Sequence, residues 1–197
     1  LGRFHEKKGC ETIINSVIKL KNKFHSKILF SGPIESYSYF KYLKRLVKIN
    51  NLENKIFFSG PIYKDLKWGA ILSSRGMLLA SRGENFGISV AESLSQSRPV
   101  LITNKVNIYK NIAKYKAGLV SSNNISSFSR KLLKFEELNL MEQNKMSKNA
   151  LKCFEDNFDI SSNKNSLTKL LKKEFAKKFD INKHWIYFYK TKGEIWK

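Results

Sequence analysis

The sequence predicts an α/β fold: a parallel sheet with helices on both faces, followed by C-terminal helices. Three observations predict it. Short apolar runs alternate with amphipathic stretches up to about Ser122, most of the runs are bounded by Gly, Ser, Pro or Asn, and after Asn123 the pattern turns wholly helical. Alternation of this kind is what βα units closing a parallel sheet produce.

Leu1-Gly2-Arg3 reads as the end of a strand. Because the first residue is leucine and not methionine, the natural start is expected upstream, and the lack of a signal peptide carries no weight. A helix is expected from Cys10 to Phe24, where Ile13, Ile14, Val17, Ile18 and Leu20 form one apolar stripe. Lys27 to Phe30 is the next strand, Tyr39 to Asn50 a helix, Lys55 to Phe58 a strand, and Lys64 to Ser73 a helix. The strand Met77 to Ala80 then leads into a helix from Gly87 to Gln96, and Pro99 to Thr103 and Gly118 to Val120 complete five strands. Helices follow over Ile125 to Leu138, Met141 to Phe158 and Ser161 to Phe179. The expected division is a nucleotide-binding domain over residues 1–160, a C-terminal helix over 161–183 and a basic aromatic tail over 184–197.

Composition bounds the function. A chain of 197 residues that is 42% hydrophobic has material for a globular core and is no disordered tail. Cys10 and Cys153 stand far apart with no C-x-x-C or Cys/His spacing, so neither a zinc site nor a disulfide framework is indicated, and a reducing, cytoplasmic setting is expected. No apolar run approaches the roughly 20 residues of a membrane-spanning helix. The net charge of +21 would favour phosphates, nucleic acid or anionic membrane, yet lysine is scattered through nearly every segment. Such scatter fits solvated faces better than a nucleic-acid footprint, which needs clustering. In the tail, Trp185, Tyr187, Phe188, Tyr189 and Trp196 alternate with lysines, which suits either a peripheral membrane surface or packing on the chain's own domain or a partner domain.

The chemistry concentrates between Ser81 and Glu92, where a strand passes into a helix. A helix N-terminus presents N–H groups without intrahelical acceptors and about half a positive charge, so the amides near Gly87, Ile88 and Ser89 can hold a diphosphate. Gly87 has no side chain to keep a phosphate away from the backbone. Glu84 precedes the helix and Glu92 lies one to two turns inside it, and carboxylates at those places suit the vicinal diols of a ribose and a hexose. By spacing alone, Glu84 could equally favour the helix N-terminus and Glu92 could be an exposed helical residue. Arg3 and Lys8, at another strand end, fall on the same carboxyl edge and could neutralise a diphosphate leaving group, whereas the lone His5 reads as structural or solvated. Ser31-Gly32-Pro33 and Ser59-Gly60-Pro61 repeat the strand-end pattern, either as simple turns or as room for a nucleobase beside Gly32, Ile62 and Lys64.

Together these segments resemble the C-terminal, donor-binding half of a retaining glycosyltransferase of family 4, with Rossmann-like, GT-B architecture. Gly2-Arg3-Phe4-His5-Glu6-Lys7-Lys8-Gly9 is similar to the family's G-R-x-x-x-x-K-G segment, Glu84 to Glu92 matches its E-x7-E motif, and Lys55 to Gly60 with Pro61 and Ile62 matches its F-x-G-x-V/I strand end. The resemblance runs to about Leu171. It implies that Glu84 contacts donor-sugar hydroxyls and Glu92 the ribose, that Arg3 and Lys8 hold the diphosphate with backbone groups from Phe86 to Ile88, and that no metal or other cofactor is needed. Asn104-Lys105-Val106-Asn107-Ile108 stands where many members carry a Gly-rich turn, which leaves donor contacts from that loop open.

It further implies an acceptor-binding N-terminal domain outside this chain, and a sheet order of 3-2-1-4-5-6 whose central first strand is represented only by Leu1 to Arg3. The strands at Lys27 to Phe30 and Met77 to Ala80 are then expected to lack their shared neighbour, and the chain alone is expected to bind a donor weakly or not at all, without turnover. A GT-B sugar-nucleotide epimerase, or a non-catalytic basic module on anionic membrane or nucleic acid, remains the alternative.

Overall fold

A computed structural model of the protein describes residues 1–159. The helix expected at Ser161 to Phe179 and the aromatic tail lie outside the described residues. One unit, Leu1–Glu155, holds the strands among the described residues; of the second, Asp156–Lys197, residues 156–159 are described, the end of the last helix and the two residues after it.

The elements follow the βα alternation. They run α1 (Cys10–Leu20), β1 (Ile28–Phe30), α2 (Tyr37–Ile49), β2 (Ile56–Phe58), α3 (Lys64–Ser73), β3 (Met77–Leu79), α4 (Ile88–Ser95), β4 (Val100–Thr103), α5 (Tyr109–Tyr115), β5 (Gly118–Ser121), α6 (Ile125–Glu136) and α7 (Leu140–Asn157). All five strands sit where their apolar runs predict, within a residue at each end. α1 stops four residues before Phe24 because Lys21 adopts a positive φ of 49°, which breaks the α-helical path and leads into a short 3-10 turn. α2 starts two residues early, since the Ser36 hydroxyl accepts the Tyr39 N–H at 3.3 Å and caps the new first turn. α5 is an addition to the expected elements: its seven residues bury only Ile112 and so carry no apolar stripe to read.

The strands are parallel but form two sheets, β1-β2 and β3-β4-β5. Among the described residues, β1 and β3 share no neighbouring strand. β4 is buried along its whole length, as the centre of a parallel sheet covered on both faces must be. The core centres on α1, whose Ile13, Ile14 and Val17 pack in one cluster with Phe128 and Leu132 of α6 and Leu43 and Val47 of α2.

This arrangement turns the carboxyl ends of the strands, and the loops that follow them, toward one edge. Phe4 anchors the first of those loops. It is 1% exposed and lies 4.9 Å from the Phe40 ring and 5.9 Å from that of Phe58, so the stretch from Arg3 to Lys8 hangs from a buried aromatic peg. Among the described residues, no helix is long and apolar enough to cross a membrane.

Candidate functional site

At that edge lies a cleft of about 860 Å³, lined by the segment from Leu1 to Lys8, the loops that follow β1, β2 and β3, and the first turns of α3 and α4. Arg3, Lys8, Gly32, Ile62, Glu84, Phe86, Gly87, Ile88 and Glu92 all contribute to its wall, whereas Lys64, expected beside a nucleobase, does not. They are drawn from segments up to 89 positions apart, from Arg3 to Glu92, and only the fold brings them together.

Three ion pairs organise the charge in the cleft. The Lys8 ammonium bonds the Glu84 carboxylate, the Lys67 Nζ lies 2.7 Å from Glu92 Oε1, and Arg3 lies 2.9 Å from Glu35. The first two are about three-quarters buried, so screening by solvent is partial, whereas the Arg3 guanidinium is 61% exposed and its pair adds little to stability. Each cation is thus held by a carboxylate at the wall of a cleft that an anionic ligand would enter. The Lys67 ammonium also lies 4.4 Å from the centre of the Trp68 ring, a cation–π contact.

The backbone around Glu84 is fixed from both sides. Its N–H donates to the Lys105 carbonyl at 3.0 Å, and its own carbonyl accepts the Asn107 N–H at 3.0 Å, which makes a parallel bridge with Val106. Asn104 to Ile108, the loop that departs from the Gly-rich turn, therefore supports the Glu84 loop from behind and contributes no residue to the cleft wall. Ser81 is fully buried and donates its hydroxyl to the Lys7 carbonyl at 2.8 Å, tying the loop bearing Lys8 to the loop bearing Glu84.

A second clamp lies beneath. Glu11 accepts a bond from the Tyr39 hydroxyl and another from Arg82 at 2.5 Å, joining α1, α2 and the end of β3. Burial, reinforced by that bond to Glu11, pushes the Tyr39 hydroxyl above its ordinary pKa and keeps it the donor.

The entry to α4 needs glycine. Gly87 caps the helix with φ 80° and ψ 64°, a left-handed conformation, and a Cβ there would sit 3.2 Å from Val106. The N–H groups of Ile88 and Ser89 have no acceptor within the helix, as at any helix start, and both residues line the cleft. At Gly32 a Cβ would lie 1.8 Å from the Gly2 carbonyl oxygen, so this glycine allows the first loop to pass directly over the end of β1. His5 is engaged structurally: its Nδ1 accepts the Lys7 N–H at 3.1 Å.

Three wall residues lie outside every segment singled out from the sequence: Glu35, Tyr63 and Lys67. The carboxyl-edge rule that flagged Arg3 applies equally to the loops after β1 and β2, and would have reached Glu35 and Tyr63. Among the described residues, no three His, Cys, Asp or Glu side chains gather in a metal-binding cluster.

Residues 1–152 match the family model described as Glycosyl transferases group 1. The chain belongs to this family. Its parallel sheets flanked by helices match the C-terminal domains of GT-B glycosyltransferases in solved structures. Sucrose-phosphate synthase from Thermosynechococcus elongatus superposes with a TM-score of 0.75 at 18% identity, over 90% of this chain and 45% of that one. The C-terminal domain of a glycosyl transferase group 1 family protein from Francisella tularensis gives 0.71 at 20% identity, over 81% and 84%. The Anabaena protein HepE in complex with UDP-glucose gives 0.73 at 15% identity, over 87% and 48%. This group 1 chain thus spans less than half the length of the synthase and of HepE. No curated protein matches it in sequence.

Proposed function

We propose that this chain is the donor-binding half of a retaining, metal-independent hexosyltransferase. The observation that carries the reading is the meeting, at the start of α4, of two carboxylates that each hold a cleft lysine: Glu84 with Lys8 and Glu92 with Lys67. A nucleoside-diphosphate sugar has the complementary chemistry, with hydroxyl groups for the carboxylates and phosphates for the ammonium groups and the helix start. The UDP-glucose carried by HepE is such a molecule and supports the choice of probe.

In this reading the diphosphate lies over the first turn of α4, and Arg3 and Lys8 turn from their carboxylates toward it. Glu84, released from Lys8, takes the hydroxyls of the donor sugar, and Glu92 takes the ribose. Transfer breaks the bond between the anomeric carbon and the β-phosphate oxygen, and the electron pair leaves with the nucleoside diphosphate. The acceptor hydroxyl oxygen bonds the anomeric carbon on the same face, and its proton passes to the departing phosphate. Positioned cations of this kind contribute on the order of 3 kcal/mol to such a step. The acceptor side belongs to a domain outside this chain.

The test is selectivity measured by calorimetry. The 197-residue chain is titrated with UDP-glucose, GDP-mannose and inorganic diphosphate at two salt concentrations. One nucleotide sugar is expected to bind at least about tenfold more tightly than diphosphate, and Glu92→Ala to abolish that preference. Equal binding of all three ligands, insensitive to Glu92 and falling steeply with salt, would show a polyelectrolyte surface instead.

A further inference from the structure

Lys67 and Glu92 come from different βα units, Lys67 from the first turn of α3 and Glu92 from the second turn of α4, and both line the cleft. Their bond runs to one carboxylate oxygen, Oε1, at 2.7 Å, and Oε2 accepts no hydrogen bond from the described residues. A glutamate on a helix surface swings among several rotamers unless a partner holds it. Here the partner is held in turn. The Lys67 side chain is 26% exposed, and its ammonium lies 4.4 Å from the centre of the Trp68 ring, which fixes it from a second side.

The place of the pair along α4 matters as much. Residues four apart stand on one face of a helix, so Ile88 and Glu92 both meet the cleft, about 6 Å apart along the axis at a rise of about 1.5 Å per residue. The amides of Ile88 and Ser89, without acceptors inside the helix, mark the phosphate end of that face. Lys8 bonds Glu84, ahead of the helix, whereas Lys67 bonds a carboxylate one turn inside it, where the sugar of a nucleotide would follow its diphosphate. An ionised carboxylate accepts through lone pairs on both oxygens, so with Lys67 on Oε1 the lone pairs of Oε2 suit the two hydroxyls of a ribose diol. A 2′-deoxyribose offers one hydroxyl fewer and leaves part of a largely buried carboxylate unpaired.

We infer that Lys67 is a positioning residue for ribose recognition. When a nucleotide enters, Arg3 and Lys8 leave their carboxylates but Lys67 keeps its bond to Glu92 Oε1 and so holds Oε2 toward the ribose diol. The cleft then prefers ribonucleotides to 2′-deoxyribonucleotides. This role deepens the donor-binding reading and rests on its assignment of Glu92 to the ribose. Lys67 does not act on the phosphates in this arrangement, which separates it from the other cleft cations.

The test is a set of NMR titrations of the full chain, of Lys67→Met and of Lys67→Arg, each with UDP, 2′-deoxy-UDP, GDP, 2′-deoxy-GDP and inorganic diphosphate, followed at the amides of Gly87 to Ser89. For at least one base, the unsubstituted chain is expected to bind the ribonucleotide at least about fivefold more tightly than its deoxy counterpart. Lys67→Met is expected to bring that ratio to within about twofold of unity while diphosphate affinity changes less than about twofold, and Lys67→Arg, which keeps a donor for Oε1, to restore the preference. Both affinities of a ratio come from one sample, so partial unfolding of a variant lowers both and leaves the ratio intact. A reading that needs no variant is the nitrogen signal of the Lys67 ammonium, which is expected to move less than that of Lys8 when UDP or GDP saturates the chain. Ribose preference that survives Lys67→Met, equal weakening of all ligands in that variant, a Lys67 signal that moves as far as that of Lys8, or nucleotides that bind the cleft without ribose preference would each overturn this role alone. Cleft amides unmoved by every nucleotide would overturn the donor reading, and this role with it.

Discussion

Glu92 and Lys67 meet at 2.7 Å although they come from different βα units, and neither is distinctive alone. Glu84 and Glu92 were legible because their spacing lies within a single strand-to-helix passage, where local geometry decides what the backbone presents. Lys67 was not, because its partner is set by tertiary packing that no short window contains. The same limit applies to Cys10 and Tyr39. Burial pushes the Cys10 thiol up to about 12, and burial together with the Glu11 bond raises the Tyr39 hydroxyl. Both groups keep their protons in the folded chain at a pH where the unfolded chain has begun to lose them, so the native state binds more protons and stability falls as pH rises above about 9. Urea melts at pH 8, 9 and 10 are expected to show a declining midpoint, with part of the decline absent in Cys10→Ala. A midpoint flat across that range would contradict the burial of these two groups.

Elements follow more readily from sequence than contacts do. The five strands stood out because each is a compact apolar run ended by small or turn-forming residues. α5 did not, being one buried isoleucine in a seven-residue turn of polar and aromatic residues. Ends were decided by caps: Asn124 accepts the Ser127 N–H at 2.8 Å and starts α6, the helix that packs most extensively on α1. Replacing Asn124 with alanine leaves that first-turn amide without its side-chain acceptor and is expected to cost about 1 kcal/mol in denaturant unfolding. Asn124→Asp, which keeps an acceptor and adds a charge favourable to a helix N-terminus, is expected to restore most of the loss. The loop from Asn104 to Ile108 gives a converse lesson. Its composition leaves donor contacts open, and its hydrogen bonds hold the Glu84 backbone from the side away from the cleft.

For the whole molecule, the α/β class and the gathering of the candidate site residues at the carboxyl edge followed from βα alternation. The split into the sheets β1-β2 and β3-β4-β5 and the cavity between them emerge from the packing of the elements. Cleft and cavity meet at Leu1, which lines both. The net charge of +21 acts at this scale too, because a diffuse positive field draws any polyanion toward the surface whatever the cleft recognises. Location of binding therefore tests the donor reading more directly than affinity does. In an NMR titration of the labelled chain with UDP-glucose and GDP-mannose, the account predicts saturable amide shifts for at least one of them, confined to Gly2, Lys8, Ile62, Glu84 and Gly87 to Ser89, even where binding is weak. Shifts scattered over the lysine-bearing faces of α2, α6 and α7, with the cleft amides unmoved, would contradict it.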